Sequence, residues 1–232
     1  MAAIALDGQR WATASGRPAR QLVILLHGLG SDGADIGVLA PIFAKALPHA
    51  AFAAPDAPFF QVGEPPSRQW FGIGDIPVAQ LHAGIASAAA CLDAFVAAEA
   101  ARLKLLPRSV ALVGFSQGAM LALYSGLRHD PGPGAVLAYA GALVADTKLE
   151  SELRWRPPVL LVHGTEDAII APAYSQSAEK VLRDHAVPVR ALFRRGMAHT
   201  IDTECIGAGA AFLADWAEGK LVTAAPRHAA VS

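Results

Sequence analysis

A serine hydroxyl becomes a useful nucleophile only when an imidazole takes its proton and an acid fixes the tautomer and charge of that imidazole. Ser116 is the serine whose surroundings suit this chemistry. It stands in Gly114-Phe115-Ser116-Gln117-Gly118, after the apolar run Ser109 to Val113 and before a helical run from Ala119 to Leu127. A sharp strand-to-helix turn at this point lifts the hydroxyl above the sheet edge, and the two glycines leave room where backbones crowd. It also leaves the Gln117 N–H unpaired at a helix start, where it can face a developing oxyanion. The pentapeptide by itself also fits an ordinary glycine-flanked turn, so its partners decide.

Of the histidines, His199 has the context of a base: it follows the strand-like run Val189 to Phe193 through the turn Arg195-Gly196-Met197-Ala198 and precedes the last helix. His49, His129, His185 and His228 fall at surface helix ends or in the tail, and His82 lies on a helix. Asp167 is the candidate acid, beyond the run Pro158 to Val162, and Ser116, Asp167 and His199 then occur in the chain order this chemistry takes on a parallel sheet. Glu166 is the neighbouring alternative, and Asp167 could instead cap the helix that follows. The loop Leu25-Leu26-His27-Gly28-Leu29-Gly30 supplies a second oxyanion donor in the Leu29 N–H, with His27 read as a brace for that loop. No His-x-x-x-His or His-Glu pattern supports a metal, and Gly28-Leu29-Gly30-Ser31-Asp32-Gly33 lacks both the phosphate-loop ending and the dinucleotide spacing.

The elements that must position these groups alternate. Strand-like runs cover Gln21 to Leu26, Ala51 to Ala54, Ser109 to Val113, Ala135 to Tyr139, Pro158 to Val162 and Val189 to Phe193. Helical stretches at Val78 to Leu103, Ala171 to His185 and Thr203 to Glu218 lie among them. This predicts an α/β fold, a mostly parallel central sheet with helices on both faces and the site at the carboxyl ends of strands. Pro55 to Pro77, with five prolines and four aromatics, predicts a long ordered loop.

The 232 residues fit one domain over 1–221 with a frayed tail at 222–232. Hydrophobic residues make up 53% and charged residues 17%, and the net charge of -1 without like-charge runs argues against nucleic acid. Cys91 and Cys205 read as buried free thiols. The N-terminus lacks the pattern of a secretory signal, and no apolar run approaches the roughly 18 residues of a membrane span. A cytoplasmic protein without stable membrane insertion is expected.

With these residues in place the chain resembles the phospholipase/carboxylesterase branch of the α/β-hydrolases, which includes acyl-protein thioesterases and small carboxylesterases. The resemblance runs from Leu22 to Trp216. It rests on Leu26-His27-Gly28-Leu29-Gly30, Pro55-Asp56-Ala57-Pro58, Gln69-Trp70-Phe71, the serine pentapeptide, His163-Gly164-Thr165-Glu166-Asp167 and Gly196-Met197-Ala198-His199. It implies an α/β-hydrolase fold, Ser116 as nucleophile, His199 as base, Asp167 as its orienter, and Leu29 and Gln117 as backbone donors; no insertion is long enough for a separate cap domain. It also implies that Trp70 and Phe71 flank the acyl site; from their types alone these aromatics could equally pin the loop to the core. Two positions depart from the family pattern: Ala119 where a second glycine usually follows the elbow, and Ser31 before Asp32 where an aspartate is usual.

The expected activity is hydrolysis of short to medium acyl carboxylic esters through an acyl-enzyme, with no metal or cofactor. The substrate partner is a small-molecule ester, and a homodimer is left open. Thioester cleavage or lysophospholipid hydrolysis is the nearest alternative. An acyltransferase would use the same groups, and a non-catalytic binding protein would be expected to lack one of them.

Overall fold

The computed structural model describes residues 4–61 and 67–221. In chain order the strands are β1 (Gly8–Trp11), β2 (Gln21–Leu26), β3 (Ala50–Pro55), β4 (Phe59–Phe60), β5 (Arg68–Gln69), β6 (Val110–Phe115), β7 (Ala135–Tyr139), β8 (Val159–Gly164) and β9 (Val189–Arg194). The helices are α1 (Gly33–Gly37), α2 (Ala40–Phe43), α3 (Val78–Leu103), α4 (Gln117–Arg128), α5 (Leu149–Glu152), α6 (Pro172–Asp184) and α7 (Thr203–Ala217). Seven strands form one sheet in the order β1-β3-β2-β6-β7-β8-β9. Within this sheet, among the described residues, the β1–β3 pair is antiparallel and the other pairs are parallel.

The period-two alternation of each strand divides the core into two layers. Leu22, Ile24 and Leu26 of β2, with Val110 and Leu112 of β6, pack with α3, α4 and α6. Val23, Leu25, Ala111 and Val113 face the other way, against Ile36 and Phe43 of the first two helices and Phe212, Leu213 and Trp216 of α7. Because both faces are covered, the central strands are apolar on both sides, which is why they read as continuous runs. The chain leaves β2 toward β3 on one side and returns to β6 on the other. The crevice at this reversal lies at the carboxyl ends of β2 and β6, where the oxyanion loop and Ser116 begin.

Besides the short helices α1, α2 and α5, which the sequence reading does not contain, three features differ from it. β1 is an additional strand. Its residues Gly8–Trp11 are half-exposed and polar because it pairs on one edge only, so no apolar pattern marks it. Arg10 ties it to α3 through a 2.8 Å ion pair with the buried Glu99. Inside the loop expected at Pro55 to Pro77 lies a small antiparallel ladder, Phe59 opposite Gln69 and Phe60 opposite Arg68; residues 62–66, and the tail at 222–232, lie outside the described residues. Third, α3 corrects the expectation about apolar length: its 26 residues are long and apolar enough, by length and composition, to cross a membrane. In the fold it lays Ile85, Leu92 and Phe95 on the sheet, and its other face is largely alanine, including Ala83, Ala86 and Ala90. Alanine raises hydropathy while serving helix formation, so composition alone overstates its affinity for lipid.

The alanine at 119 has a structural counterpart. A methyl group on Gly141, just past β7, would lie 2.6 Å from the Ala119 Cβ, so the glycine missing after the elbow is supplied by the facing segment. Gly141→Ala is expected to cost about 1–3 kcal/mol through overpacking. Ala119→Gly in the same chain should relieve part of that cost. A double-mutant cycle from urea unfolding should therefore give a coupling of at least about 0.5 kcal/mol, and strict additivity would disprove the contact.

Candidate active site

The elbow is built by contacts that exclude any side chain. A Cβ on Gly114 would stand 2.3 Å from the Gly118 carbonyl oxygen, and one on Gly118 would stand 2.2 Å from that of Leu26. The turn between them forces Ser116 to φ 53 and ψ -116, a region that costs a non-glycine residue roughly 1–3 kcal/mol. The strain is held by the Ser116 N–H, which donates to the Tyr139 carbonyl at 2.9 Å, and by α4 packing behind. As a result the hydroxyl stands at the head of α4, pressed against the end of β2.

The Ser116 hydroxyl donates to His199 Nε2 at 3.0 Å, and His199 Nδ1–H donates to Asp167 Oδ2 at 2.6 Å. The other carboxylate oxygen of Asp167 accepts the Ile169 and Ile170 N–H groups at 2.9 and 2.8 Å. Asp167 thus orients the imidazole and closes the turn at Ile169 and Ile170, but it does not cap the helix that follows: α6 begins at Pro172 behind Ala171, with no side-chain cap. Burial alone would raise its pKa, but the hydrogen bonds from His199 and from Ile170 and Ile169 outweigh that and hold it below the ordinary carboxylate value. Glu166 is exposed and makes no contact with the imidazole among the described residues.

His199 arrives there because its loop is fastened to the end of β8. Thr165 and Glu166 N–H donate to the Arg194 and Met197 carbonyls, and Gly196 N–H donates to the Thr165 hydroxyl. A side chain on Gly164 would collide with the Met197 carbonyl at 2.0 Å. Arg194 anchors the far end through Asp202 at 2.9 Å, and Asp202 in turn caps α7. The imidazole stacks beside Phe115, ring centres 4.9 Å apart.

The Leu29 and Gln117 N–H groups have no acceptor among the described residues, as two oxyanion donors require. His27, fully buried, braces the Leu29 loop: Nδ1–H donates to the Gly28 carbonyl at 2.7 Å and Nε2 accepts the Ala57 N–H at 3.0 Å. Burial lowers its pKa and keeps it neutral. Gly30 N–H donates to the Arg68 carbonyl, and Asp32 caps α1 while Ser31 bonds Asp35, so the departure at Ser31 is absorbed by local capping.

Trp70 and Phe71 are 0% and 2% exposed, burial that matches side chains pinning the loop to the core. The Trp70 indole N–H donates to the His27 carbonyl at 2.9 Å. The Gln117 side chain, absent from the sequence reading, clamps the same loop: Oε1 accepts the Trp70 N–H and Nε2 donates to the Phe71 carbonyl, both at 2.8 Å.

His163, which opens the landmark His163-Gly164-Thr165-Glu166-Asp167, has a place beside the acid. It is fully buried, with Nε2 3.1 Å from Asp167 Oδ2 and 2.9 Å from the Ile170 carbonyl, and Nδ1 2.6 Å from the Ser175 hydroxyl. Facing two oxygens, Nε2 must carry hydrogen. Both ring nitrogens of His27 and of His163 are thus engaged with protein groups. The sequence signals for His163 were its position at the end of β8, beside the acid, and its place in the landmark that carries Asp167.

His163→Leu is expected to lower kcat on the order of 10²-fold, with KM little changed, by freeing the Asp167 carboxylate. His163→Gln places an amide N–H where Nε2 stands and should recover most of that loss, whereas His163→Asn should not; equal losses in all three would assign His163 a packing role. The lowered pKa of Asp167 means that its stabilising contribution is fully present above the ordinary carboxylate value of about 4 and is lost as pH falls through the folded-state value. Urea unfolding from pH 6 to 3 should show the stability gap between the native protein and Asp167→Asn closing on acidification. A gap independent of pH would contradict this.

Comparison with known proteins agrees with this architecture. Solved esterase PE8 superposes with a TM-score of 0.86 at 39% identity, covering 90% of this chain and 98% of that one. Esterase YpfH of Escherichia coli (strain K12) is 28% identical over 191 residues, 80% of this chain and 78% of its own. Acyl-protein thioesterase 1 of Kluyveromyces lactis is 29% identical over 207 residues, 81% of this chain and 88% of its own. The family profile described as Phospholipase/Carboxylesterase matches residues 10–217. The chain belongs to the phospholipase/carboxylesterase family, and its fold is that of the α/β-hydrolases.

Proposed function

We propose that this hydrolase is a serine carboxylesterase that cleaves short to medium acyl esters through an acyl-enzyme. The observation that carries the reading is the unbroken hydrogen-bonded line from Ser116 Oγ through His199 to Asp167, beside two N–H groups that have no acceptor among the described residues. Ser116 Oγ bonds to the ester carbonyl carbon as its proton passes to His199 Nε2. The carbonyl oxygen, now negative, is held by the Leu29 and Gln117 N–H groups, and Asp167 stabilises the imidazolium. His199 then gives the proton to the departing alcohol oxygen as the carbon–oxygen bond breaks. Water enters, loses a proton to His199 and releases the acid, restoring Ser116. No step calls for a metal or cofactor.

The same groups would cleave thioesters, a reading favoured by the acyl-protein thioesterase relative. A single domain over 1–221, a small-molecule ester as partner, a cytoplasmic location and the absence of nucleic-acid binding or stable membrane insertion complete the proposal, with a homodimer compatible with it. The packing of α3 on the sheet supports the membrane part.

Turnover of p-nitrophenyl esters of rising acyl length should be highest for short to medium chains. Ser116→Ala should lower kcat by roughly 10⁴–10⁶-fold. Unchanged turnover in that variant would sink the assignment, and activity climbing steadily toward long chains, or a strong preference for matched thioesters, would move the substrate to the alternative class. Added alcohol captured faster than water would indicate an acyltransferase.

A further inference from the structure

One groove at the site has no part in the chemistry so far. It is about 390 Å³ and runs between the α1–α2 segment and the turn that carries His199. Its size is at the low end of the roughly 300–1,000 Å³ usual for small-ligand sites. Val38, Leu39 and Ile42 form one wall and Ile201 and Ile206 the other, with Phe115 among the lining residues and His199 at the head. Val38 and Ile42 stand four residues apart, 62% and 39% exposed, so they turn apolar surface toward the groove rather than the core. The lining carries one carboxylate, Asp35, which accepts the Ser31 hydroxyl at 2.8 Å, and no lysine or arginine.

The chemistry decides what belongs there. The alcohol oxygen must come within reach of His199 Nε2 to take its proton, so the alcohol portion begins beside the imidazole. Gly28 forms part of the same groove, and a Cβ on it would lie 3.4 Å from the Ser116 Cβ, so the groove opens directly beside the nucleophile.

We propose that this groove is the leaving-group subsite and that it takes neutral, apolar alcohols, branched or aromatic, while rejecting alcohols that bear an anionic group such as a phosphate. The inference rests on the assignment of Ser116 and His199 given above. An anion there would lose its hydration against isoleucine and valine, meet the Asp35 carboxylate and find no lysine or arginine in the lining.

The test uses butyrate esters that share one acyl group: benzyl butyrate and its 4-sulfobenzyl analogue, whose leaving alcohols are of similar intrinsic reactivity. The kcat/KM value reports acylation, the step that contains the alcohol, so a common deacylation step does not mask the difference. The native protein should prefer the neutral ester at least about 100-fold, and Val38→Arg, which adds a cation at the exposed wall, should narrow that ratio at least about tenfold. Leu106→Arg adds the same charge at an exposed position outside the groove lining and should leave the ratio unchanged. Circular dichroism and melting confirm that each variant is folded. Equal turnover of the two esters by the native protein, or a ratio unmoved by Val38→Arg, overturns the subsite while leaving the esterase reading intact. A shift in acyl-length preference among methyl esters of Val38→Arg, with the alcohol ratio unmoved, would hand the groove to the acyl chain instead. Persistent turnover by Ser116→Ala is the separate result that would remove the reading on which the subsite rests.

Discussion

The approach of Gly118 to the end of β2 is the contact on which the rest of the site depends. The start of α4 sits so near the Leu26 and His27 carbonyls that a single methyl group at Gly118 would overlap both. This closeness sets Ser116 at the mouth of the loop that holds the Leu29 N–H, and it fixes the Gln117 N–H beside it. A wider gap would relax the Ser116 backbone and separate the nucleophile from one of its two oxyanion donors. The strain at Ser116 is small against the apolar burial of α4, whose residues Ala119 to Leu123 are almost wholly enclosed.

Around that contact the site is stiffened by buried polar groups, each with a partner. Two histidines serve the two halves of the machinery: His27 braces the oxyanion loop through both ring nitrogens, and His163 sits behind Asp167. Trp70 closes over the first of these, bonded to the His27 carbonyl and clamped through its backbone by Gln117. Among the described residues no buried side-chain nitrogen or oxygen lacks a hydrogen bond. Such networks are costly if incomplete and rigid when satisfied, which suits a site whose groups must be held before substrate arrives.

Much of this frame was legible in the residues. The central strands are buried on both faces and so stand out as apolar runs, and the order of Ser116, Asp167 and His199 follows from each lying past a strand end. β1 was not legible because an edge strand with polar, half-exposed residues carries neither an apolar run nor clean alternation. The place of Trp70 was ambiguous for a different reason: a large aromatic on a proline-rich loop suits a binding wall or a core plug equally, and its complete burial is visible only in the fold. The apolar length of α3 was overlooked in the sequence: alanine enrichment gives this sheet-packed helix the length and composition of a membrane span.

By itself the sequence determined the chemistry available, because residue type fixes what a serine, an imidazole and a carboxylate can do. It also determined their placement at the carboxyl edge of a parallel sheet, because strand periodicity is a local property. Only the tertiary structure decided which atoms meet. The fastening of Arg194 to Met197 along Thr165 and Glu166 brings His199 onto Asp167, and Gly164 permits it. The clamp made by the Gln117 side chain and the apolar groove beside His199 likewise arise between segments distant in the chain. Their contacts depend on distances of a few tenths of an ångström, which no local pattern encodes.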